Sequence, residues 1–241
     1  MNAKLDELLC QRYPSIFRDR HAPMTDTCMC WGFACGDGWY ALIDALCAEI
    51  QQYVDALGIA DVVASQVKEK FGCLRFYVRS GNVHISAMTW FADYLSGFIC
   101  EECGAPALRT GSSWIQTRCA KHGGEDFPLD APSHMEAEDE FDCPDWVPAD
   151  QREAWKRADA FRLPPPHTRG WRHVATALEH TIKNDIRHNR LPPLVIKGLD
   201  ESEALRYRWA GGDGKGWIAA MFRLADVYSV RCDRETGAPI Y

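Results

Sequence analysis

The second half of this chain repeats the order and spacing of the first, and that recurrence limits what the chain can fold into more than any other feature. Gly38-Trp39 aligns with Gly170-Trp171, Ala45-Leu46 with Ala177-Leu178, Ile50 with Ile182 and Val54 with Ile186, all without a gap. Further on, Leu74-Arg75-Phe76 answers Leu205-Arg206-Tyr207, and Ile85-Ser86-Ala87-Met88 answers Ile218-Ala219-Ala220-Met221. Phe91-Ala92-Asp93 then answers Leu224-Ala225-Asp226, and Gly104-Ala105-Pro106 answers Gly237-Ala238-Pro239. Self-similarity of this kind implies one structural unit used twice, each copy burying the same apolar positions. The two copies end differently. The first runs into Cys100-Glu-Glu-Cys103, whereas the second reads Cys232-Asp-Arg-Glu-Thr and lacks the cysteine pair.

Within each copy, apolar residues fall first at helical and then at strand spacing. Trp39, Leu42, Leu46, Ile50 and Val54 recur every three or four residues, with Asp37 as the expected N-cap and Gly58 as the stop. Strands are expected around Val62 to Val67 and from Cys73 to Val78, joined by a Lys68-to-Gly72 turn, with a helix from His84 to Gly97. Trp171, Val174, Leu178, Ile182 and Ile186 open the second copy. Strands near Leu194 and Leu205 follow, then a helix from Trp217 to Tyr228. The expectation is an α+β fold of two related helix-strand-strand-helix lobes, with antiparallel pairing where connections are short. The first lobe would span 1–124 and the second, a degenerate repeat, 151–241.

Between them, 125–150 is acidic and holds four prolines, which prevent a continuous helix. Ten of the 34 acids lie between His122 and Gln151, a stretch without Lys or Arg. The rest of the chain therefore carries slightly fewer acids than its 27 basic residues, despite the net charge of -7. This strip reads as a solvated linker. Its cluster of Glu136, Glu138, Asp139, Glu140 and Asp142, beside Phe141 and Trp146, is also a candidate surface for a basic partner. Eleven cysteines without an export signal favour a reducing compartment, so the expected location is the cytoplasm. No apolar run approaches the roughly 20 residues of a membrane span.

The chemistry-bearing pattern is Cys100-x-x-Cys103 followed, after fifteen residues, by Cys119-x-x-His122. Each short pair supplies two donors from one tight turn. Four Cys and His donors suit tetrahedral Zn2+, and Gly104 and Gly123 allow the backbone to fold back under the ligands. A zinc ribbon over 99–123 is expected, with a structural Zn2+ because four protein ligands leave no place for water. Cys28, Cys30 and Cys35 have unusual spacing for a second site and read as packing residues. His134-Met-Glu136 matches one element of the zinc deaminases, but no Pro-Cys-x-x-Cys follows. The glycine-rich 211–216 segment has Trp209 where a phosphate-binding loop needs its first glycine, and no Ser or Thr after Lys215. His173, His180 and His188 read as solvated or capping residues. No catalytic residues are assigned, and the protein is expected not to be an enzyme. Strand alternation places Arg75, Tyr77 and Arg79 on one face, beside Lys68 and Lys70, where they are candidates to hold single-stranded nucleic acid.

Four segments of the first half, Cys35-Gly-Asp-Gly-Trp-Tyr40, Val67-Lys-Glu-Lys-Phe-Gly72, Leu74-Arg-Phe-Tyr77 and the Cys100-to-His122 ribbon, resemble uncharacterised zinc-ribbon proteins of bacterial phages and plasmids. The resemblance covers about half of the chain and departs at Cys73, where glycine is expected. It implies a mobile-element setting, in which many small proteins disable host defence complexes, anti-CRISPR proteins among them. The resulting expectation is a non-enzymatic protein-binding protein that inhibits a bacterial immune nucleoprotein of CRISPR-Cas type. The alternative is a zinc-ribbon regulator that binds nucleic acid.

Overall fold

The computed structural model describes residues 1–130, 147–189, 194–212 and 216–240. Its main elements are α1 (Ala3–Arg12), β1 (Phe33–Ala34), α2 (Tyr40–Leu57), β2 (Val63–Lys70), β3 (Cys73–Arg79) and α3 (Val83–Ser96). They continue with β4 (Ala107–Thr110), β5 (Gln116–Arg118), β6 (Glu125–Asp126), α4 (Arg152–Ala160), α5 (Arg172–Asn189), β7 (Leu194–Asp200), β8 (Arg206–Gly211) and α6 (Trp217–Ser229). The α+β class read from the periodicities is observed, with α3 packed beside β3 and α6 beside β8.

The expected helical stripe is buried along α2, and Gly58 closes the helix in the left-handed conformation at φ 59°. Asp37 does not cap it. A 3-10 turn over Asp37–Trp39 precedes α2, and the Asp37 carboxylate instead accepts from the backbone and side-chain nitrogens of Asn2, both at 2.6 Å. The strand periodicity also runs further than expected. β2 continues to Lys70, so the β2–β3 connection is the two-residue turn Phe71-Gly72 rather than a five-residue loop. β2 pairs antiparallel with β3 and parallel with the short β1, while β7 and β8 form an antiparallel pair.

The halves do not bury separate cores. One hydrophobic cluster includes Trp39, Leu46, Phe91 and Leu95 with Trp171, Leu178, Phe222 and Leu224. α3 packs on α6, α2 on α6 and α3 on α5, so each half offers its two long helices to the other. Buried acids of α2 are answered across this junction. Asp44 takes Arg231 Nε at 2.8 Å as well as the Tyr13 hydroxyl at 2.8 Å, and the enclosed Glu49 pairs with Arg223. Such buried carboxylates are tolerated because each is paired and hydrogen-bonded.

Aligned positions make matching contacts. Leu74 N–H donates to Ser96 Oγ at 2.7 Å, and Leu205 N–H to Ser229 Oγ at 2.9 Å. Ser96 Oγ donates to the Asp93 carbonyl and Ser229 Oγ to that of Asp226, at 2.6 and 2.7 Å. Arg75 pairs with Asp93, and Arg206 with Asp226. The two tryptophans differ in detail: Trp39 Nε1 donates to the Ile99 carbonyl, whereas Trp171 Nε1 donates to that of Ser229, the counterpart of Ser96, each at 2.9 Å.

Candidate metal centre

α3 ends against a 97–100 bend that delivers Cys100 to the base of a three-stranded antiparallel sheet, ordered β5-β4-β6. Two tight turns face each other there. In the first, Gly104 N–H donates to the Cys100 carbonyl at 2.8 Å, and Cys100 N–H to the Ala105 carbonyl at 2.8 Å. In the second, a 3-10 turn over Ala120–His122, His122 N–H donates to the Cys119 carbonyl at 2.9 Å. Gly104 and Gly123 sit at φ 79° and 80°, the left-handed region where a side chain is strained, which is why both turns are followed by glycine.

These turns bring Cys100, Cys103, Cys119 and His122 together, with the four donor atoms all within 4.8 Å of one another. Cys103 Sγ lies 3.7 Å from Cys119 Sγ, and His122 Nδ1 lies 3.4 Å from Cys100 Sγ and 3.2 Å from Cys119 Sγ. For ligands at about 2.3 Å (sulfur) and about 2.0 Å (nitrogen) from Zn2+, tetrahedral edges come to roughly 3.5–3.8 Å. The three separations, 3.2, 3.4 and 3.7 Å, lie near these edges, so the cluster could hold a four-coordinate ion. Electrostatics agree. Burial pushes the Cys100 thiol up, but the backbone N–H groups of Cys119, Cys103 and Glu102 outweigh that effect and hold its pKa below the ordinary thiol value. Cys103 is pushed up to about 12, by burial first and then by its proximity to Cys100. Thiols crowded in this way ionise together only beside a cation, the situation a divalent metal creates.

The ribbon is tied to the first half at close quarters. Gly38 N–H donates to the Glu101 carbonyl at 2.8 Å, and a Cβ on Gly38 would overlap the Cys100 carbonyl oxygen. Gly36 N–H donates to Glu101 Oε1 at 2.9 Å. On the other side, Thr117 Oγ1 donates to the Gly72 carbonyl at 2.6 Å, fastening the β2–β3 turn to β5.

Other candidates from the sequence are dispersed. Cys35 is buried, Cys28 and Cys30 are half-buried, and the four-residue cluster is the one ligand group found among the described residues. Arg75 and Arg79 are engaged by Asp93 and Asp19, while Tyr77 is exposed, with Lys68 Nζ 5.9 Å from its ring centroid. Sequence alternation placed them on one face but carried no sign of these two acids, one from α3 and one from the 18–36 segment. Glu136, Glu138, Asp139, Glu140 and Asp142 lie outside the described residues. His180 and His188 are exposed as expected, but His173 is fully enclosed, beside Phe127 and Tyr228. The sequence reading missed the exposed aromatic tips Phe71 and Trp114. The Phe-Gly pair at 71–72 was the available signal, since two-residue hairpins put their first residue in a left-handed conformation.

Comparison with known proteins adds no relative: no protein-family model, curated protein or solved structure matches this chain.

Proposed function

We propose that this is a non-catalytic binding protein in which Cys100, Cys103, Cys119 and His122 hold a structural Zn2+. The observation that carries this reading is the donor set: three sulfurs and one imidazole nitrogen within 4.8 Å of one another. Four protein ligands complete a tetrahedral sphere and leave no position for a reacting water or substrate. The ion would hold two turns face to face where the ribbon has only a very small apolar core, made of Cys100, Ala107 and Cys119. Elemental analysis of the purified protein tests it directly. One zinc per chain is expected, and a cooperatively folded ribbon without any metal would overturn the reading.

The matched contacts of Ser96 with Ser229 and of Asp93 with Asp226 support descent of the two halves from one duplicated unit, of which only the first keeps a ribbon. The resemblance of the first half to phage and plasmid proteins favours a host defence nucleoprotein as partner, inhibited by occupation of its surface in the cytoplasm. Among the described residues no helix is long and apolar enough to cross a membrane. A second reading, nucleic-acid binding, is favoured by the lysines held over exposed rings at Phe71 and Tyr77. A pull-down from bacterial host lysate, with and without nuclease, separates the two. A nuclease-insensitive protein supports the first reading, and loss of every partner on nuclease treatment supports the second.

A further inference from the structure

Phe71 occupies the first position of the two-residue β2–β3 turn with φ 57°, followed by Gly72 at φ 73°. Asn or Gly adopts this conformation readily, while a bulky side chain is an outlier that costs about 1–2 kcal/mol. The ring gains no burial in exchange, being 61% exposed. Nor does the fold demand it. The corresponding connection in the second half is longer, spanning 201–205, and contains no aromatic residue, and Phe71 and Ser80 are the positive-φ non-glycine residues among those described. An exposed aromatic held at a conformational cost is accounted for by something that binds it.

The turn is held rigidly. Gly72 N–H donates to Glu69 Oε1 at 2.6 Å, its carbonyl accepts from Thr117 Oγ1, and Arg109 and Gln116 close over its α-carbon. Through Gln116 the turn abuts the β4–β5 hairpin, whose loop carries Trp114 at 76% exposure. Lys70 Nζ stands 5.1 Å from the Phe71 ring centroid, and Lys68 lies over Tyr77, itself 45% exposed. Among the described residues neither lysine forms an ion pair, whereas the nearby acids Glu69 and Glu102 are engaged by Gly72 N–H and Arg118.

We propose that the two hairpin tips carrying Phe71 and Trp114, together with Tyr77 further along β3, serve as stacking platforms, with Lys68 and Lys70 as phosphate contacts, and bind single-stranded nucleic acid. The inference rests on the nucleic-acid reading above and extends its site from Tyr77 on the Arg75 face to the tips. Unpaired bases stack on exposed rings, and unpaired lysines take the phosphates between them. A protein-binding hot spot is built differently, with its aromatic anchors in a lysine-poor, apolar surround. Because Thr117 lies between Cys100–Cys103 and Cys119–His122, the metal ribbon is the mount that positions these tips.

The test uses full-length, metal-loaded protein and fluorescently labelled oligo-dT or oligo-rU of about 15 nucleotides, read by anisotropy. Binding is expected to weaken with salt, with a log–log slope near -1.4 for two phosphate contacts, and Lys68→Gln with Lys70→Gln should flatten it. Phe71→Asn suits the turn better than the native residue, so its thermal stability should hold or rise while affinity falls roughly tenfold, the effect of losing one stacked base. Trp114→Ala should cost a similar factor. No binding at low salt, equal binding of duplex, or unchanged affinity of Phe71→Asn would each overturn the proposal. If the oligonucleotide fails but the pull-down yields a nuclease-insensitive partner, the tips are excluded while the binding-protein reading stands.

Discussion

Residues 100–104 and 233–237 make the same backbone turn by different chemistry. In both, the glycine N–H returns to the carbonyl four residues earlier, at 2.8 Å for Gly104 and 2.9 Å for Gly237. In both, the first residue pairs with the alanine before the proline, Cys100 with Ala105 and Asp233 with Ala238, at 2.8 Å each. Both press on a glycine at the mouth of a long helix, where Gly38 and Gly170 leave no space for a Cβ. Where the first turn brings Cys100 and Cys103 into the cluster of candidate metal ligands, the second has Asp233 and Thr236. The Asp233 carboxylate accepts from Thr236 N–H at 2.7 Å, Thr236 Oγ1 at 2.8 Å and Glu235 N–H at 3.1 Å. A self-contained Asx turn thus does locally what the cysteines do together with a distant pair of ligands. The turn accordingly takes its shape without needing a metal ligand set. The second knuckle, Cys119 to His122, faces Cys100 and Cys103 across the β4–β5 hairpin.

Substituting a ligand should break this comparison most severely. Cys103→Ser is expected to lose the metal and at least several kcal/mol of ribbon stability, given apparent binding energies of about 10–16 kcal/mol for structural zinc. Hydrogen exchange should show lost protection over 99–126, with α2, α3, α5 and α6 still protected by their shared core. Uniform loss across both halves would mean that the ribbon and core form one cooperative unit.

Next in size is a difference at the helix mouths. His173 occupies the position of Ala41, fully enclosed, and burial lowers its pKa to about 4 while the Gly170 backbone opposes this without reaching hydrogen-bond geometry. A histidine whose folded pKa is depressed stays neutral in the fold but gains a proton on unfolding. Its penalty is therefore absent above about pH 6.5 and grows as pH falls toward 4, reaching roughly 3 kcal/mol. Denaturant titrations between pH 7 and 4.5 should show the native protein losing stability more steeply than His173→Phe. Parallel profiles would show that the site admits a proton on folding.

Ser96→Ala and Ser229→Ala sharpen the equivalence of the halves. Each leaves a buried strand N–H, of Leu74 or Leu205, without its acceptor and should cost about 1–3 kcal/mol. Similar losses in urea unfolding are expected, and a marked difference would show that the matched geometry is not matched energetically. The smallest effect belongs to Asp233→Ala. Its carboxylate is exposed, and its pKa is lowered first by Thr236 N–H, then by the Thr236 hydroxyl and Glu235 N–H. A depressed carboxylate contributes stability above its unfolded pKa and loses it as pH falls through the folded value, below about pH 4. Asp233→Ala should lower the melting temperature slightly at pH 7 and not at pH 3, as differential scanning calorimetry would show.

Much of the fold was legible in periodicity and spacing because those features act locally. The α2 and α5 stripes, the strands at 74 and 205, the Gly58 stop and each of the two ligand pairs, Cys100 with Cys103 and Cys119 with His122, follow from residues within a turn or two of each other. Missed elements depended on distant partners. β1 is too short to signal a strand and exists because β2 lies parallel to it. Asp37 looked like a cap until Asn2 supplied its donors. Arg75 and Arg79 looked free because alternation shows which face a side chain takes, not which acid meets it there.

The sequence by itself determined the helix and strand periodicities of the two halves and the spacing of the candidate metal ligands, since each is set by a short stretch of backbone. Only the tertiary structure decided that the two units share one core, because an amphipathic face specifies that it must be buried but not against what. It also decided that the turn carrying the exposed Phe71 abuts the hairpin whose loop carries the exposed Trp114. That outcome turns on Thr117 reaching the Gly72 carbonyl across forty-five residues of chain, a contact that no local rule encodes.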